Sequence, residues 1–264
     1  MIRLIASDLD GSLLDDRKKL PSDFHDVFAR MKANGIQFAS ASGRDLNGAS
    51  QYFPEYKDDM YFITDNGANI YHGEENLLCR TFDKELADAI IEYAGAHSLN
   101  NLVCAKTGSY IDANNRYFVE RMQRHYSVCT PVDDLRTVDD IFKISFFYSE
   151  GDIVKDVYEG LNAEFGERAN VAVSGRIWMD IIDLSADKGV ALRWLQKHLG
   201  VDRSETMVFG DYYNDIPLLN NADFAFVMEN ANEDLKSQYR YTAPNNNEDG
   251  VTRAIIDYAL IEYE

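Results

Sequence analysis

The stretch IRLIASDLDG, Ile2 to Gly11, contains the features that decide the fold. Ile2 to Ser7 is a short, nearly continuous apolar run, which is typical of a strand buried on both faces of a parallel sheet. Side chains two apart on a strand point the same way, so the carboxylates of Asp8 and Asp10 are expected to face one point in space. Gly11 allows a tight turn and the close approach of a ligand. The stretch therefore predicts a ligand site where a buried strand ends.

Strands alternate with helices at both ends of the chain. Apolar residues spaced i, i+3, i+4, i+7 predict a helix that begins after Pro21 and ends at Gly35, and a strand, Ile36 to Ala41, follows it. The elements predicted near the C-terminus are a helix from about Lys188 to Leu199, a strand Thr206 to Phe209, a short helix around Pro217, a strand Phe224 to Val227 and a closing helix from about Val251. This alternation predicts an α/β fold with a doubly wound parallel sheet.

The middle of the chain lacks this alternation. Its predicted elements include the helices Lys84 to His97 and Asp152 to Leu161 and the strands Lys143 to Tyr148 and Trp178 to Ile182. We therefore predict a core formed by residues 1–82 and 187–264, with an α+β cap domain, residues 83–186, inserted into it.

The net charge indicates which partners are disfavoured, and the cysteines and the N-terminal sequence bear on the location of the protein. The 264 residues include 26 Lys and Arg against 45 Asp and Glu, a formal net charge of -19. Such a surface repels nucleic acid and anionic membrane, so we expect neither as a partner. The three cysteines are widely spaced, and the sequence shows no signal-peptide or membrane-spanning pattern. We expect a cytoplasmic location, while the oligomeric state stays open.

A second acidic cluster follows the strand Thr206 to Phe209. The sequence GDYYND places Asp211 at the carboxyl end of that strand and Asp215 at the start of a helix. If this strand and the first one lie in the same parallel sheet, at least three carboxylates meet at one edge, where open α/β sheets bind ligands. Like charges that close cannot all stay ionised without a cation. Mg²⁺ suits the site, because it binds carboxylates, water and substrate phosphate oxygens.

Two further segments suit a phosphate group. The strand Ile36 to Ala41 is followed by SGR, in which Ser42 offers a hydroxyl and Gly43 an accessible backbone N–H, while Arg44 is expected to begin or precede the next helix. Lys188, in SADKGVAL, is expected at a helix start, where a positive charge opposes the helix dipole and has no local structural reason to be.

Four segments in this order, DLDGSLL, SGR, DKGVAL and GDYYND, resemble the signature motifs of the haloacid dehalogenase superfamily. The insertion between the second and third motifs, together with DNGA at residues 65–68 and NNEDGV at 246–251, resembles the Cof-type phosphatases with a large α/β cap. The resemblance implies a Rossmann-like core and a Mg²⁺-dependent phosphatase that acts on small phosphorylated metabolites, with sugar phosphates as the expected substrates.

The resemblance also implies roles for the motif residues. Asp8 would be the nucleophile that forms an aspartyl-phosphate. Asp10 would protonate the leaving oxygen and later deprotonate the hydrolytic water, a role for which the nearby carboxylates of Asp8 and Asp211 are expected to raise its pKa.

The other implied roles concern the metal ion and the phosphoryl group. Mg²⁺ would be held by the carboxylates of Asp8 and Asp211 and by the backbone carbonyl of Asp10. The phosphoryl group would be held by Ser42, the backbone N–H groups of Leu9 and Gly43, Lys188 and Asn214, while Asp215 would position Lys188. In this family the cap contacts the leaving group, and Arg176 and Asp180 are the favoured candidates because they lie near the strand that leads back to the core.

Other readings of the same motifs stay open. A phosphomutase or phosphotransferase would keep the aspartyl-phosphate and pass the phosphoryl group to another hydroxyl. A phospho-accepting signalling module, similar to a response-regulator receiver, would also cluster Asp, Ser or Thr, and Lys on a doubly wound sheet. The hundred-residue insertion argues against such a module, which needs no lid. A dehalogenase is disfavoured, since that chemistry needs neither Mg²⁺ nor an acid at the position of Asp10.

Overall fold

The computed structural model describes residues 1–125, 129–149, 151–173 and 177–260. The chain forms two compact units, one built from Met1–Leu78 and the chain from Asp187 onward, the other from Cys79–Ala186. The first boundary thus falls between Leu78 and Cys79, whereas the sequence predicts it between residues 82 and 83.

An eight-stranded sheet forms the centre of the first unit. Its strands are β1 (Leu4–Ser7), β2 (Gln37–Ala41), β3 (Tyr61–Thr64), β4 (Asn69–His72), β5 (Glu75–Cys79), β12 (Thr206–Gly210), β13 (Phe224–Met228) and β14 (Tyr241–Ala243). They run in the order β14-β13-β12-β1-β2-β3-β4-β5. The six strands from β14 to β3 are parallel to their neighbours, and β4 pairs with β3 in the antiparallel direction.

Helices cover both faces of this sheet. They are α1 (Phe24–Ala33), α2 (Leu46–Ser50), α6 (Lys188–Leu199), α7 (Ile216–Leu219), α8 (Glu233–Lys236) and α9 (Gly250–Tyr258). One apolar cluster joins Phe24 and Phe28 of α1 to Ile255 of α9 and one face of the sheet, and another joins Leu192 and Leu195 of α6 to the opposite face. The two clusters confirm the predicted doubly wound α/β fold, because each face of the sheet has its own layer of helices.

Strand β1 lies between strands from the two ends of the chain. Leu4 is in register with Gln37 of β2 on one side and with Thr206 of β12 on the other. All four residues of β1 are buried, as its apolar sequence predicts. Because β1, β2 and β12 are parallel, their carboxyl ends share one edge of the sheet, and the residues that follow Ser7, Ala41 and Gly210 meet there.

The second unit contains a mainly antiparallel sheet. Its strands are β6 (Asn100–Ala105), β7 (Gly108–Asp112), β8 (Thr130–Val132), β9 (Ile141–Phe147), β10 (Ala169–Val173) and β11 (Trp178–Asp183), in the order β10-β11-β9-β6-β7-β8. Its helices are α3 (Lys84–Ala96), α4 (Arg116–His125) and α5 (Glu159–Phe165). Residues of α3 and α5 pack on one face of this sheet, and Phe118 and Met122 of α4 lie in an apolar cluster on the other.

The predicted helices and strands are present in the structure, but several begin or end at other residues than predicted. The helix predicted from Asp152 to Leu161 is instead a π-helical turn, Val154–Tyr158, that continues into α5. Strands β3 to β8, β10 and β14 and helices α4 and α8 are not among the predicted elements. Each helix in the described ranges is too short or too polar to cross a lipid bilayer.

Candidate functional site

A buried chain of ion pairs links the two acidic motifs of the first unit. Asp8 directly follows β1, and its Oδ1 accepts a 2.6 Å hydrogen bond from Nζ of Lys188. The same Nζ donates a second 2.6 Å bond to Oδ1 of Asp215. Lys188 and Asp215 are each 1% exposed and Asp8 is 6% exposed. A lysine is almost never buried this completely unless it is paired, so the arrangement joins the first, third and fourth motifs electrostatically.

Local structure holds each member of this chain in place. Lys188 is the first residue of α6, whose cap Asp187 accepts a 2.7 Å bond from the backbone N–H of Val190. The other oxygen of Asp215 accepts bonds from the backbone N–H groups of Asp211 and Tyr212, at 3.1 and 3.2 Å. Both oxygens of Asp215 are therefore engaged in fixing the loop after β12 and the ammonium group of Lys188.

Asp211 lies close to the loop that follows β1. Its Oδ1 accepts a 3.3 Å hydrogen bond from Oγ of Ser12. A Cβ at Gly11, where φ is +91°, would come within 2.3 Å of Oδ2 of Asp211. Only glycine both adopts this left-handed conformation readily and leaves room for the carboxylate. The glycine after the first acidic pair thus allows the second acidic motif to approach.

Burial and mutual repulsion perturb the titration of this cluster. Burial raises the pKa of the Asp8 carboxyl, and the neighbouring Asp215 and Asp211 act in the same direction against the attraction of Lys188. Burial, reinforced by Asp215, also raises the pKa of Asp211 to about 6. Although burial opposes it, the two carboxylates Asp215 and Asp8 raise the pKa of Lys188, which stays charged. Among these groups the negative charge is in excess, and a further cation would relieve it.

Three of these carboxylates lie close enough together to hold a divalent cation. One oxygen each from Asp8, Asp211 and Asp215 lies within 4.8 Å of the others. Oxygen ligands of this kind suit Mg²⁺, which binds one or two carboxylates and keeps water or substrate oxygens in its other positions. Asp8 and Asp211 are the best candidates for ligands of the cation, because both oxygens of Asp215 already accept hydrogen bonds, from Lys188 and from two backbone N–H groups.

The expectation for Asp10 is wrong in one respect. Its Oδ2 accepts a 2.7 Å bond from Nε of Arg44, and its Oδ1 accepts a 2.8 Å bond from Nη2 of Arg44 and a 2.7 Å bond from Nζ of Lys18. Although burial acts the other way, these hydrogen bonds lower the pKa of Asp10 to about 2. The carboxyl was expected to have a raised pKa from nearby Asp8 and Asp211, but its direct partners are two cations.

The SGR segment after β2 lies at the same edge of the sheet. Ser42 is buried, and its Oγ accepts a 3.1 Å bond from the backbone N–H of Arg44. Gly43 lies against the side chain of Asn66, since a Cβ at Gly43 would be 3.0 Å from Oδ1 of that residue. Leu9, whose backbone N–H was predicted to hold phosphate, lies between Asp8 and Asp10 with its side chain fully buried.

The DNGA segment forms a left-handed turn that supports the SGR loop. Asp65, Asn66 and Gly67 have φ values of +51°, +54° and +98°. The backbone N–H groups of Asp65 and Asn66 donate to the carbonyl oxygens of Arg44 and Ser42 at 2.9 and 3.0 Å. A Cβ at Gly67 would lie 2.2 Å from the carbonyl oxygen of Asp187. Two consecutive non-glycine residues in this conformation are uncommon. Through Asp65 and Asn66 the turn contacts the second motif, and through Gly67 it packs against the start of α6.

The remaining predicted residues are not brought into this cluster. Asn214 is exposed in the turn Tyr213–Asp215, and the hydrogen bonds of the described residues do not join it to the carboxylates. Asp180 lies in β11 of the second unit, where it is buried and accepts a 2.6 Å bond from Oγ of Ser145. Arg176 lies outside the described residues.

Sequence reasoning missed Lys18 and the ion pair of Arg44 with Asp10. Lys18 stands between Arg17 and Lys19, and nothing in the run DDRKK distinguishes the middle cation. The loop selects it: Oδ1 of Asp15 accepts bonds from the backbone N–H groups of Arg17 and Lys19, and Lys18 adopts a φ of +60°. That geometry could not be read from residue types alone.

Comparison with known proteins agrees with these motifs. The sequence profile of one protein family, described as haloacid dehalogenase-like hydrolase, matches residues 5–255. The chain is 29% identical over 257 residues to 5-amino-6-(5-phospho-D-ribitylamino)uracil phosphatase YbjI of Escherichia coli strain K12, covering 96% of this chain and 95% of that protein. It is 31% identical over 238 residues to an HMP-PP phosphatase of Citrobacter koseri, covering 88% of this chain and 85% of the relative.

Solved structures show the same fold. The crystal structure of a haloacid dehalogenase-like hydrolase from Bacteroides thetaiotaomicron matches with a TM-score of 0.80 at 24% sequence identity. The match covers 97% of this chain and 99% of the other. The agreement therefore extends over both units of the chain.

Proposed function

This chain belongs to the haloacid dehalogenase-like hydrolases and is a phosphatase, and from that starting point we propose that it hydrolyses sugar phosphates and related small phosphate monoesters in a Mg²⁺-dependent reaction. The main support is the buried Lys188, held between Asp8 and Asp215 where β1 and β12 end. A cation fixed beside a buried carboxylate suits a reaction in which negative charge gathers on phosphoryl oxygens.

The named relatives support this class of substrate. The E. coli relative is a phosphatase of 5-amino-6-(5-phospho-D-ribitylamino)uracil, whose phosphate is on a ribityl chain, and the C. koseri relative is a phosphatase of HMP-PP. A ribityl chain is a sugar-derived polyol, so a sugar phosphate is a close chemical neighbour of the first substrate. The cytoplasmic location expected from the sequence stays a prediction.

In the proposed first step, an oxygen of Asp8 attacks phosphorus while the bond from phosphorus to the leaving oxygen breaks. The product is an aspartyl-phosphate, and Asp10 supplies the proton that the leaving oxygen takes. Lys188, Ser42 and the backbone N–H groups of Leu9 and Gly43 bind the phosphoryl oxygens. Asp215 acts through Lys188, whose ammonium group it holds beside the nucleophile.

In the proposed second step, water attacks phosphorus and the bond to Asp8 breaks. Asp10 takes the proton of that water, and inorganic phosphate leaves. Because Arg44 and Lys18 hold Asp10 with a pKa of about 2, its service as proton donor requires that both cations loosen their hold when the ester binds. Asn214 is a further proposed phosphate ligand. Its side chain is exposed, so it must rotate toward Asp8 to contact the phosphoryl group.

Mg²⁺ is the cofactor that the donor set fits. Asp8 and Asp211 would hold it, together with the backbone carbonyl of Asp10, and it would supply positive charge that keeps the nucleophile ionised and neutralises the phosphoryl oxygens. The raised pKa values of Asp8 and Asp211 show how strongly the protein alone disfavours this much negative charge.

The first experiment is a measurement of inorganic phosphate release from a panel of sugar phosphates, nucleotides and para-nitrophenyl phosphate. Each is assayed with Mg²⁺ and with EDTA. We expect release that requires Mg²⁺ and is fastest on sugar phosphates. Release that EDTA leaves unchanged would refute the metal dependence, and preference for nucleotides would refute the substrate class. A sugar bisphosphate is added in parallel, because a mutase would require it and a phosphatase would not.

A further inference from the structure

The Asp10 carboxylate is held by a pair of cations that the reaction scheme does not use. Arg44 contacts it through two parallel N–H groups, at 2.7 and 2.8 Å, and Lys18 adds a third bond at 2.7 Å. Bidentate guanidinium contacts fix the plane of a carboxylate as well as its position. Arg44 and Lys18 are here called the cationic clamp.

The clamp does not serve mainly to stabilise the fold. The side chains of Asp10, Arg44 and Lys18 are 35%, 30% and 49% exposed. Ion pairs at such exposure contribute little to stability, because water screens the charges and two long side chains must be ordered. For the same reason, a competing anion can displace Asp10 from the clamp at low cost.

Both cations are nevertheless placed by well-ordered surroundings. The backbone of Arg44 accepts from the N–H of Asp65, and its guanidinium lies 5.3 Å from the ring centre of Tyr52. The loop that carries Lys18 is tied down by Asn246, which is buried and donates to the carbonyl of Leu14 at 3.1 Å. Asn246 also donates to Asp16 at 3.2 Å, so the Asn-rich tract near the C-terminus supports this loop.

An incoming phosphate needs positive charge at the site, and the clamp is the part of the site that can supply it. The carboxylates of Asp8, Asp10, Asp211 and Asp215 are opposed by the cations of Lys188, Arg44 and Lys18. Lys188 is committed to two buried carboxylates, so the clamp offers the cations that can change partner. The backbone N–H of Arg44 donates to Oγ of Ser42, so the main chain that carries the guanidinium is fixed next to the proposed phosphate ligand.

We propose that the cationic clamp exchanges anions: it holds the Asp10 carboxylate in the free enzyme and transfers to the phosphoryl group of the bound ester, which releases Asp10 to face the leaving oxygen. The inference rests on the proposed function for the identity of the anion. Lys18 and Arg44 thereby become substrate-binding residues, and the ester itself triggers the release of the proton-transfer group.

Equilibrium binding of inorganic phosphate to the Mg²⁺-loaded protein tests the exchange without turnover. Arg44→Gln is expected to weaken binding about 10- to 100-fold, as for the loss of charge-assisted bonds to phosphate, and Lys18→Met about 3-fold. Lys19→Met is the matched control, because the side chain of Lys19 forms no ion pair within the described part of the chain. Its affinity is expected to stay within about 2-fold of the wild type.

The decisive variant is Asp10→Asn. If Asp10 competes with phosphate for the clamp, its neutralisation should tighten phosphate binding about 3- to 10-fold, and this gain should vanish when Asp10→Asn is introduced into the Arg44→Gln, Lys18→Met double variant, which has no clamp. A gain that persists without the clamp would reflect only the loss of a nearby negative charge and would overturn the exchange.

Other outcomes separate the exchange from the proposed function. Unchanged phosphate affinity in both Arg44→Gln and Lys18→Met, with the wild type binding phosphate and hydrolysing esters, would refute the exchange alone. A wild type that hydrolyses esters but binds no phosphate would also refute the exchange alone, and one that does neither would refute both. Circular dichroism and thermal unfolding of each variant exclude a folding defect, and Arg44→Lys, which keeps charge but loses the bidentate contact, should recover part of the affinity.

Discussion

The two units of the chain place their buried charged residues differently. In the first unit, the buried carboxylates Asp8, Asp65 and Asp215 lie in the segments that follow the parallel strands β1, β3 and β12. In the second unit they lie within antiparallel strands, where Ser145 of β9 and Asp180 of β11 face each other on one side of the sheet. Parallel strands bring their carboxyl ends to one edge, whereas antiparallel neighbours point their ends in opposite directions. We therefore expect the reaction to take place on residues of the first unit.

The strongest test of this contrast is the removal of the nucleophile. Asp8→Asn should lower kcat by a factor on the order of 10⁴ or more, because the aspartyl-phosphate cannot form. The fold should persist, since the amide keeps the shape of the side chain. Phosphate release and trapping of the phosphorylated protein provide the measurement. Substantial residual turnover would remove Asp8 as the nucleophile.

Removal of the proposed proton donor should have a smaller and more selective effect. Asp10→Asn is expected to slow hydrolysis of a sugar phosphate by about 10²- to 10³-fold. The loss on para-nitrophenyl phosphate should be much smaller, because nitrophenolate leaves without protonation. The ratio of kcat/KM for the two esters is the quantity to measure. Equal losses on both would contradict the acid role.

Substitution of one glycine in each unit tests how tightly the two units are packed. Gly67 of the first unit has a φ of +98°, and a Cβ added to it would lie 2.2 Å from the carbonyl oxygen of Asp187. Gly108 of the second unit has a φ of +138°, and a Cβ added to it would meet no atom within 4 Å. Gly67→Ala combines backbone strain with a clash and should destabilise by about 4 kcal/mol, against about 2 kcal/mol for Gly108→Ala. Urea unfolding measures both. Only Gly67→Ala should also lower kcat, since it displaces the start of α6; equal effects would refute the tight packing of this turn.

The crowding of carboxylates should make Mg²⁺ binding depend on pH. Asp211 has a pKa raised to about 6, chiefly by burial, and its carboxyl must lose its proton to bind the metal. Binding is therefore weakened as the pH falls through that value, and we expect at least about 10-fold lower Mg²⁺ affinity at about pH 5 than at about pH 7, because the raised pKa of the other ligand, Asp8, acts in the same direction. Calorimetric titration at several pH values measures this. An affinity independent of pH would show that Asp211 does not hold the ion.

The smallest effect is expected in the second unit. Asp180→Asn should change KM for sugar phosphates by about 3-fold while leaving kcat for para-nitrophenyl phosphate unaltered, because Asp180 is proposed to contact the leaving group and not the phosphoryl group. Ser145→Ala, which removes the partner of Asp180, is the matched variant. A loss of activity on both esters would place Asp180 in the reaction instead. Arg176 stays a prediction to be tested in the same way.

The sequence predicts the first unit well because its signals are local. The apolar run of β1, the helical spacing of α1 and the acidic residues directly after strands each depend on a few neighbouring residues. Parallel pairing then determines which of these strand ends meet, so the cluster of Asp8, Lys188 and Asp215 follows from topology. Helix α6 begins at Lys188 and ends at Leu199, as predicted.

What the sequence could not predict depends on side-chain geometry. The pKa of Asp10 was expected to rise with the nearby carboxylates, but Arg44 and Lys18 reach its oxygens and lower it. Spacing along the chain does not reveal such a contact, because Arg44 follows a different strand and Lys18 owes its position to a left-handed residue in a loop. In the second unit, short strands such as β7 and β8 lack an apolar run long enough to identify them.

The position of β1 between β2 and β12 has a consequence for the order of folding. Arg3, just before β1, bonds to Glu205, 202 residues further along the chain. The second unit, by contrast, is continuous from Cys79 to Ala186. During synthesis the inserted unit therefore emerges whole while the first still lacks β12, β13, β14 and their helices. Contacts between residues so far apart form slowly, and until they form, the side of β1 that pairs with β12 is an unpaired sheet edge to which another chain can bind.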